Sequence, residues 1–260
     1  MCQPLFLDLS KVEERIRAAS RISLFLDFDG TLAPLGDHPA NARLAGQTRE
    51  AINRIVRLDR VVTTIISGRA LADISSRIGL DNIIYAGNHG LEICGRKLHF
   101  TEPTAAERRP ELQEISSQVT ESLRSMPCAV VEHKGLTTTV HYRGATSREV
   151  TRIQDAVRAI VAPAASSFRV SMGKMAFEIV PRTGWHKGTA VRWINRCLNQ
   201  EDLLSTYLGD DRSDEDAFRA LPDGITIKVG DFTLTAARYH LADPPEVQKF
   251  LVWLANHVSA

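Results

Sequence analysis

Apolar residues fall in short runs and helical stripes that alternate along the first third of the chain. Residues 11–20 predict a short amphipathic helix. Leu24-Phe25-Leu26 then predict a buried strand, which ends in Asp27-Phe28-Asp29-Gly30-Thr31-Leu32. A loop rich in Pro and Gly follows, through His38-Pro39. The stripe Ala51, Ile52, Ile55, Val56 and Leu58 predicts a helix from about Thr48 to Leu58. Val61 to Ile66 is β-branched throughout and predicts a buried parallel strand, ending at Ser67-Gly68-Arg69. Leu71, Ile74 and Ile78 mark one face of the next helix, with Gly79 as its C-cap. Asn82 to Tyr85 predicts the following strand, which leads into Gly87-Asn88-His89-Gly90-Leu91-Glu92. Strand, helix, strand, helix, strand in this order is the pattern of a doubly wound parallel sheet.

The pattern then changes. Glu111 to Leu123 reads as a helix, followed by strands near Ala129–His133 and Thr137–Tyr142. Arg148 to Val161 reads as another helix, followed by strands near Phe168–Met172 and Met175–Val180, joined by a tight turn at Gly173-Lys174. Helix-hairpin-helix-hairpin is a twofold repeat of pattern and predicts a small α+β module. The α/β pattern resumes with a helix over Lys187 to Leu198 and a strand over Ser205 to Leu208 that ends in Gly209-Asp210-Asp211. Ser213, with Asp216 three residues on, predicts a capped helix start. Short strands at Ile225–Val229 and Tyr239–Ala242 and a closing helix over Pro245–Asn256 complete the chain. The expected fold is therefore α/β. Residues 1–104 and 184–260 form a Rossmann-like core with a mostly parallel sheet, and 105–183 form an inserted α+β cap.

Composition narrows the classes. With 260 residues and 43% hydrophobic positions there is ample material for a packed core. A net charge of +1, with Arg and Lys scattered, gives no pull toward nucleic acid. No apolar run approaches the ~20 residues of a membrane span, and the N-terminus lacks a signal-peptide pattern. Cys2, Cys94, Cys128 and Cys197 are far apart, which argues against a zinc site or disulfide framework and for the reducing cytoplasm.

Four segments carry chemistry. Asp27 and Asp29 sit where a strand ends, at the edge where open α/β sheets bind ligands. Two neighbouring carboxylates repel unless a cation or a shared proton intervenes, so they suggest a metal site with an acid available to attack or donate. Ser67-Gly68-Arg69 opens a helix, whose N-terminal N–H groups and partial positive charge suit a phosphate. Residues 210–216 hold five acids in seven positions. A helix N-terminus accounts for Asp214 to Asp216. It leaves Asp210 and Asp211, at the strand end, to serve a hard cation such as Mg²⁺. Asp27, the backbone carbonyl of Asp29, and Asp210 form the expected ligand set, with Asp211 orienting waters or neighbours. Lys187, opening the helix after the cap, can neutralise both a bound phosphate and a nucleophile.

Asp27-Phe28-Asp29-Gly30-Thr31-Leu32 resembles the nucleophile motif of the haloacid-dehalogenase-like phosphatases. The resemblance implies Asp27 as phosphoryl acceptor and Asp29 as general acid. In chain order, Ser67-Gly68-Arg69 resembles the second motif of that superfamily and Lys187 the third. A wider match runs through residues 87–92, Val131-Glu132-His133-Lys134-Gly135-Leu136, His141-Tyr142-Arg143, Gly173-Lys174 and Glu178-Ile179-Val180-Pro181. It resembles the trehalose-6-phosphate phosphatases and covers nearly the whole chain after residue 20. That family's cap closes on its core and reads the disaccharide, which implies trehalose 6-phosphate as the small-molecule partner. Glu132, Lys134, Arg143, Lys174 and Glu178 are then the groups that grip glucose hydroxyls; Glu132 and Lys134 share a strand face by period two. Asn88 and His89, near the core–cap boundary, are candidate substrate contacts, although a packed His89 fits the pattern equally. Val180 and His186 depart from the residues usual in that family. Other capped sugar phosphatases, for sucrose phosphate or mannosyl phosphoglycerate, and a non-catalytic sugar-phosphate sensor are the alternatives.

Overall fold

The computed structural model describes residues 2–36, 41–199 and 202–258. The His38-Pro39 part of the predicted loop lies outside the described residues. The chain divides into two compact units, Met1–Phe100 with His186–Ala260, and Thr101–Trp185.

The first unit holds β1 (Gln3–Pro4), α1 (Leu9–Ala18), β2 (Arg21–Leu26), α2 (Gly46–Val56), β3 (Val61–Ile66), α3 (Leu71–Ile78), β4 (Ile84–Gly87), β5 (Glu92–Gly95) and β6 (Leu98–Thr101). In the second, α4 (Pro103–Glu107), α5 (Arg109–Ser122), β7 (Val130–His133), β8 (Thr138–His141), α6 (Ser147–Val161), β9 (Phe168–Gly173) and β10 (Ala176–Pro181) follow. The first unit then resumes with α7 (Lys187–Leu198), β11 (Leu203–Gly209), α8 (Glu215–Ala220), β12 (Ile225–Val229), β13 (Tyr239–Leu241) and α9 (Pro244–His257).

The large sheet runs β1-β13-β12-β11-β2-β3-β4-β5-β6. The pairs from β1 through β4 are parallel, and β5 turns antiparallel to β4. The α/β class read from the pattern is the class observed. Residues 22–26 of β2 are buried on both sides, as a strand covered by helices on both faces requires. Ile22, Leu24 and Leu26 join a core with Val12 and Ile16 of α1, Ile52 and Ile55 of α2, and Phe250, Leu251 and Leu254 of α9. Phe25 stacks on Tyr207, which meets Phe218 of α8 edge to face. The central pair β2–β11 joins the two ends of the chain, with Leu204↔Ile22 and Leu208↔Leu26 in register.

Three local expectations are corrected. The strand predicted at Asn82–Tyr85 begins at Ile84, because Asn82 is left-handed (φ 61°) and stands outside extended geometry. The β5–β6 pair was not predicted. Its turn residues Arg96 (φ 49°) and Lys97 (φ 67°) take conformations that hairpins usually give to Asn and Gly, so no turn signal marks it. In the β9–β10 hairpin Gly173 still pairs with Ala176, so the turn is Lys174-Met175, one residue later than expected.

In the second unit the sheet order is β7-β8-β10-β9, antiparallel throughout. The two helix-hairpin halves meet at β8–β10. Leu112, Ile115 and Val119 of α5 and Ile153, Val157 and Val161 of α6 bury one sheet face through Val140, Phe177, Ile179 and Phe168. Period two sends the intervening residues to the opposite face.

Phe250 is fully buried beneath the large sheet. Phe250→Ala should lower unfolding free energy by about 3–5 kcal/mol, read as a fall in the urea midpoint. A midpoint within error of the parent would contradict this packing.

Candidate active site

The site is built where β2 and β11 end side by side. Asp27 extends β2 by one residue, its N–H donating to Leu208 O at 3.0 Å. The chain then knots: the N–H groups of Leu32 and Ala33 donate to Phe28 O, and that of Gly30 to Ala33 O. Gly30 has φ +84°, and a Cβ there would lie 1.9 Å from Asp210 Oδ2. Only glycine lets this backbone turn lie against the carboxylate that ends β11.

Asp27, Asp210 and Asp214, all buried, bring carboxylate oxygens within 4.8 Å of one another. Lys187, the first residue of α7 and 2% exposed, answers them. Its Nζ donates to Asp27 Oδ1 and to Asp214 Oδ1, each at 2.7 Å. Tyr207 donates its hydroxyl to the same Asp214 oxygen at 2.6 Å, and Asp211 N–H donates to Asp214 Oδ2 at 2.9 Å. Lys228, a buried lysine at the end of β12, donates to Asp210 O at 2.6 Å and so pins the loop that carries this acid.

Burial pushes the Asp27 carboxyl well above its ordinary range; Lys187 opposes the shift, and the nearby Asp214 and Asp210 charges add to it. For Asp214 burial also acts upward, but the Lys187 ammonium and the bonds from Lys187, Tyr207 and Asp211 outweigh it and hold the carboxyl low. Burial acts to lower Lys187, yet Asp214 and Asp27 hold its ammonium charged. Tyr207 is driven up by burial and the Asp214 charge, and remains a neutral donor.

The donor set is all oxygen and carries more carboxylates than the single ammonium between them balances. A hard divalent cation fits both the chemistry and the charge. Among the described residues, the buried carboxylates of Asp27, Asp210 and Asp214 are grouped closely enough to hold it.

Asp29 has a different environment. Arg69 Nε donates to its Oδ2 at 2.6 Å and Arg69 Nη2 to its Oδ1 at 2.7 Å, a two-pronged fork. Ser67, Gly68 and Arg69 bridge β3 and α3 beside this pair. Their backbone is laced to the turn after β4: Asn88 N–H donates to Arg69 O (2.7 Å) and His89 N–H to Ser67 O (2.9 Å). Asn88 (φ 49°) and His89 (φ 59°) are both left-handed, a strained pair of the kind found at functional sites. Asn88 is fully buried, its side chain donating to Glu92 Oε2, and the His89 ring lies against Gly68.

Sequence reasoning left Asp214 among the acids of a helix start. In the structure it is fully buried at the centre of the cluster, while Asp211 lies outside the triad. Ser213 does not cap the helix: Asp211 caps a short 3-10 turn, Arg212–Asp214, with its N–H donating to Asp214 Oδ2, and Asp214 stands at the N-cap of α8. The available signal was Gly209: a Cβ there would lie 2.3 Å from Asp214 Cγ, so the chain needs glycine for Asp214 to fold back onto the strand end. Lys228, set in the buried strand Ile225-Thr226-Ile227-Lys228-Val229, was a second missed signal.

The second unit carries the remaining candidates. Glu132 pairs with Thr139, Thr139 with Glu178, and Glu178 with Ser171, so both acids stand on the sheet face opposite α5 and α6. His141 Nε2 lies 2.9 Å from Glu132 Oε2, and Lys134 Nζ lies 3.9 Å from the same oxygen. Arg143 and Lys174 stand in turns at one end of this sheet, next to the Tyr142 N–H to Met175 O bond. Lys134 stands at the other end, its N–H donating to Thr137 O. Val180 is buried in β10, and His186 precedes α7 with its N–H donating to Thr189 Oγ1.

The sequence profile of the trehalose-phosphatase family matches residues 25–245. The chain belongs to the trehalose-phosphatase family. A trehalose-phosphate phosphatase of Mycobacterium ulcerans is 37% identical over 249 residues, covering 92% of this chain and 63% of that protein. A trehalose 6-phosphate phosphatase of Zea mays is 33% identical, covering 97% of this chain and 75% of that one. The C-terminal domain of a Candida albicans trehalose-6-phosphate phosphatase shares the fold, with a TM-score of 0.82, 22% identity and coverage of 98% and 99%. The chain thus spans 63% of the length of the mycobacterial relative, less than two thirds. Among the described residues no helix is long and apolar enough to cross a membrane.

Lys187 is the ammonium between two buried carboxylates. Lys187→Met should cost about 3–5 kcal/mol of stability, as removal of one partner from a buried ion pair does, measured by urea unfolding in metal-free buffer. An unchanged midpoint would show that the cluster does not depend on this charge.

Proposed function

We propose that this chain hydrolyses trehalose 6-phosphate to trehalose and inorganic phosphate, with Mg²⁺ at the carboxylate cluster. The observation that carries the reading is Asp27 in the trehalose-phosphatase family's sequence, buried at a strand end, 2.7 Å from Lys187 and grouped with Asp210 and Asp214. An Asp27 oxygen attacks phosphorus in line; the phosphorus–oxygen bond to the sugar breaks and an aspartyl-phosphate forms. Asp29 gives its proton to the departing sugar oxygen. It then takes a proton from the water that attacks the aspartyl-phosphate, and phosphate leaves with the Asp27 carboxylate restored. The Arg69 fork uses one lone pair on each Asp29 oxygen and leaves another for this proton. Lys187 holds negative charge on the transferring group. When bound, Mg²⁺ supplies further charge stabilisation to the phosphoryl oxygens. Ser67, Gly68 and the start of α3 form the phosphate-binding turn.

In this reading the inserted unit selects the sugar. Glu132, Lys134, Arg143, Lys174 and Glu178 are its hydroxyl-binding groups, and His141 braces Glu132.

Phosphate release from trehalose 6-phosphate should require Mg²⁺ and stop with a chelator. Asp27→Asn should abolish it, by more than about 10³-fold, given what the nucleophilic route contributes. Phosphate release that persists in this variant would rule out the covalent route. Lys134→Ala should cut kcat/KM for trehalose 6-phosphate roughly tenfold, as loss of a charged hydrogen bond does, and leave p-nitrophenyl phosphate nearly unchanged. Equal losses on both would remove the sugar-reading role.

A further inference from the structure

Asp29 lies at one end of a line of alternating charges that continues well past the phosphate-binding turn. Arg69 spends Nε and Nη2 on Asp29 and donates Nη1 to Asp73 Oδ2 at 2.9 Å. Asp73 in turn accepts from Arg77 Nε on both oxygens, each at 2.9 Å. Arg77 Nη1 donates to Ala42 O at 2.9 Å, and Arg49 Nη2 donates to the Arg77 carbonyl at 2.9 Å. Asp73 and Arg77 are spaced i,i+4 on α3, and Arg69 stands one turn before Asp73, so one helix face aligns all three.

We propose that Asp73, anchored by Arg77, is a positioning residue for the general acid Asp29 and acts through Arg69. The inference rests on the reading of Asp29 as proton donor given above. Three observations favour positioning over plain stability. Asp73 and Arg77 are half-buried, and an i,i+4 ion pair along a helix adds little to folding. Arg69, in contrast, is 8% exposed and has its planar head fixed on three N–H groups by two carboxylates, with its Cζ 5.4 Å from the centre of the Phe28 ring. Burial opposes the Arg69 charge, and the bonds from Asp29 and Asp73 overcome it, so the guanidinium remains a fixed cation. Without Asp73 the outer edge of that head loses its carboxylate. The guanidinium can then turn about its Cδ–Nε bond, and the fork that aims Asp29 is lost. A donor misplaced by an ångström loses much of its proton-transfer advantage.

The readout is dependence on the leaving group. A general acid speeds the departure of a poor leaving group and does little for one that departs as a stable anion. The test measures kcat/KM for a series of substituted phenyl phosphates, none of which carries a sugar, together with trehalose 6-phosphate, in wild type, Asp73→Asn and Asp73→Glu. In Asp73→Asn, kcat/KM should fall about tenfold or more for unsubstituted phenyl phosphate and for trehalose 6-phosphate, within the range a general acid contributes. It should change less than about twofold for p-nitrophenyl phosphate, so the plot against leaving-group acidity steepens. Asp73→Glu, which keeps the carboxylate, should recover part of the loss. Equal losses across the series, or no loss, would overturn the positioning role. The aryl esters keep the two failures apart. A wild-type chain that turns over phenyl phosphates but not trehalose 6-phosphate overturns the substrate reading alone. A wild-type chain inactive on every ester overturns both.

Discussion

Three carboxylates gathered where water is excluded, against one ammonium, form the constraint on which the site at the ends of β2 and β11 depends. Like charges at such distances repel strongly in a low dielectric, and a buried ion pair seldom repays its desolvation. The cluster Asp27–Asp210–Asp214 with Lys187 therefore adds little net stability over an apolar core, although removing Lys187 alone leaves buried carboxylates unpaired and is costly. Its imbalance is useful for something else. Lys187 keeps Asp214 ionised, while burial, with the Asp214 and Asp210 charges adding to it, drives Asp27 toward the neutral form. In the proposed reading, a divalent cation held by these carboxylates would offset their charge and favour the ionised form of Asp27, the form needed for attack on phosphorus.

The sheet makes this expensive arrangement reachable. Asp27 and Asp210 are 183 residues apart in sequence, 210 minus 27, yet β2 and β11 are neighbours in the sheet. Their register puts Leu26 opposite Leu208, so both acids emerge at one end of the same pair. The insertion of residues 101–185 separates the two halves in sequence without disturbing that pairing.

Much of this was legible in the sequence, for physical reasons. The strands flanking the site are apolar runs that end in acids or in Ser-Gly-Arg, and buried parallel strands leave that imprint because both faces are covered. The helix-hairpin repeat of the inserted unit showed in its alternation. What escaped was set by tertiary contacts. The β5–β6 turn uses Arg96 and Lys97 in left-handed conformations, which no local propensity announces. Asp214 has the local context of a helix-start acid; its role comes from Lys187, 27 residues away, and from Tyr207 folding back on it. Asp73 gave no signal beyond helical spacing, because its partner Arg69 matters only once Asp29 is seen to lie at the far side of the guanidinium.

Two aspartates one residue apart have been given opposite surroundings, and this bears most directly on chemistry. The Asp27 side chain is 6% exposed and bonded to Lys187; that of Asp29 is 33% exposed and bonded to Arg69. A nucleophile gains by losing its water, because solvation of a carboxylate opposes its attack on phosphorus. An acid that must pass a proton to a departing alkoxide and take one from water gains by keeping an open edge. Arg69 cannot give up a proton, so it aims Asp29 without competing for the proton being moved. Lysine in the same place would supply charge without the planar fork. The sharp turn at Gly30 is what makes the division of labour geometrically available. It follows Asp29 at once and lays the backbone against Asp210, while Asp27 stays on the line of β2. Under the proposed mechanism, environment, set by one turn and two cations, is what separates the two roles between chemically identical side chains.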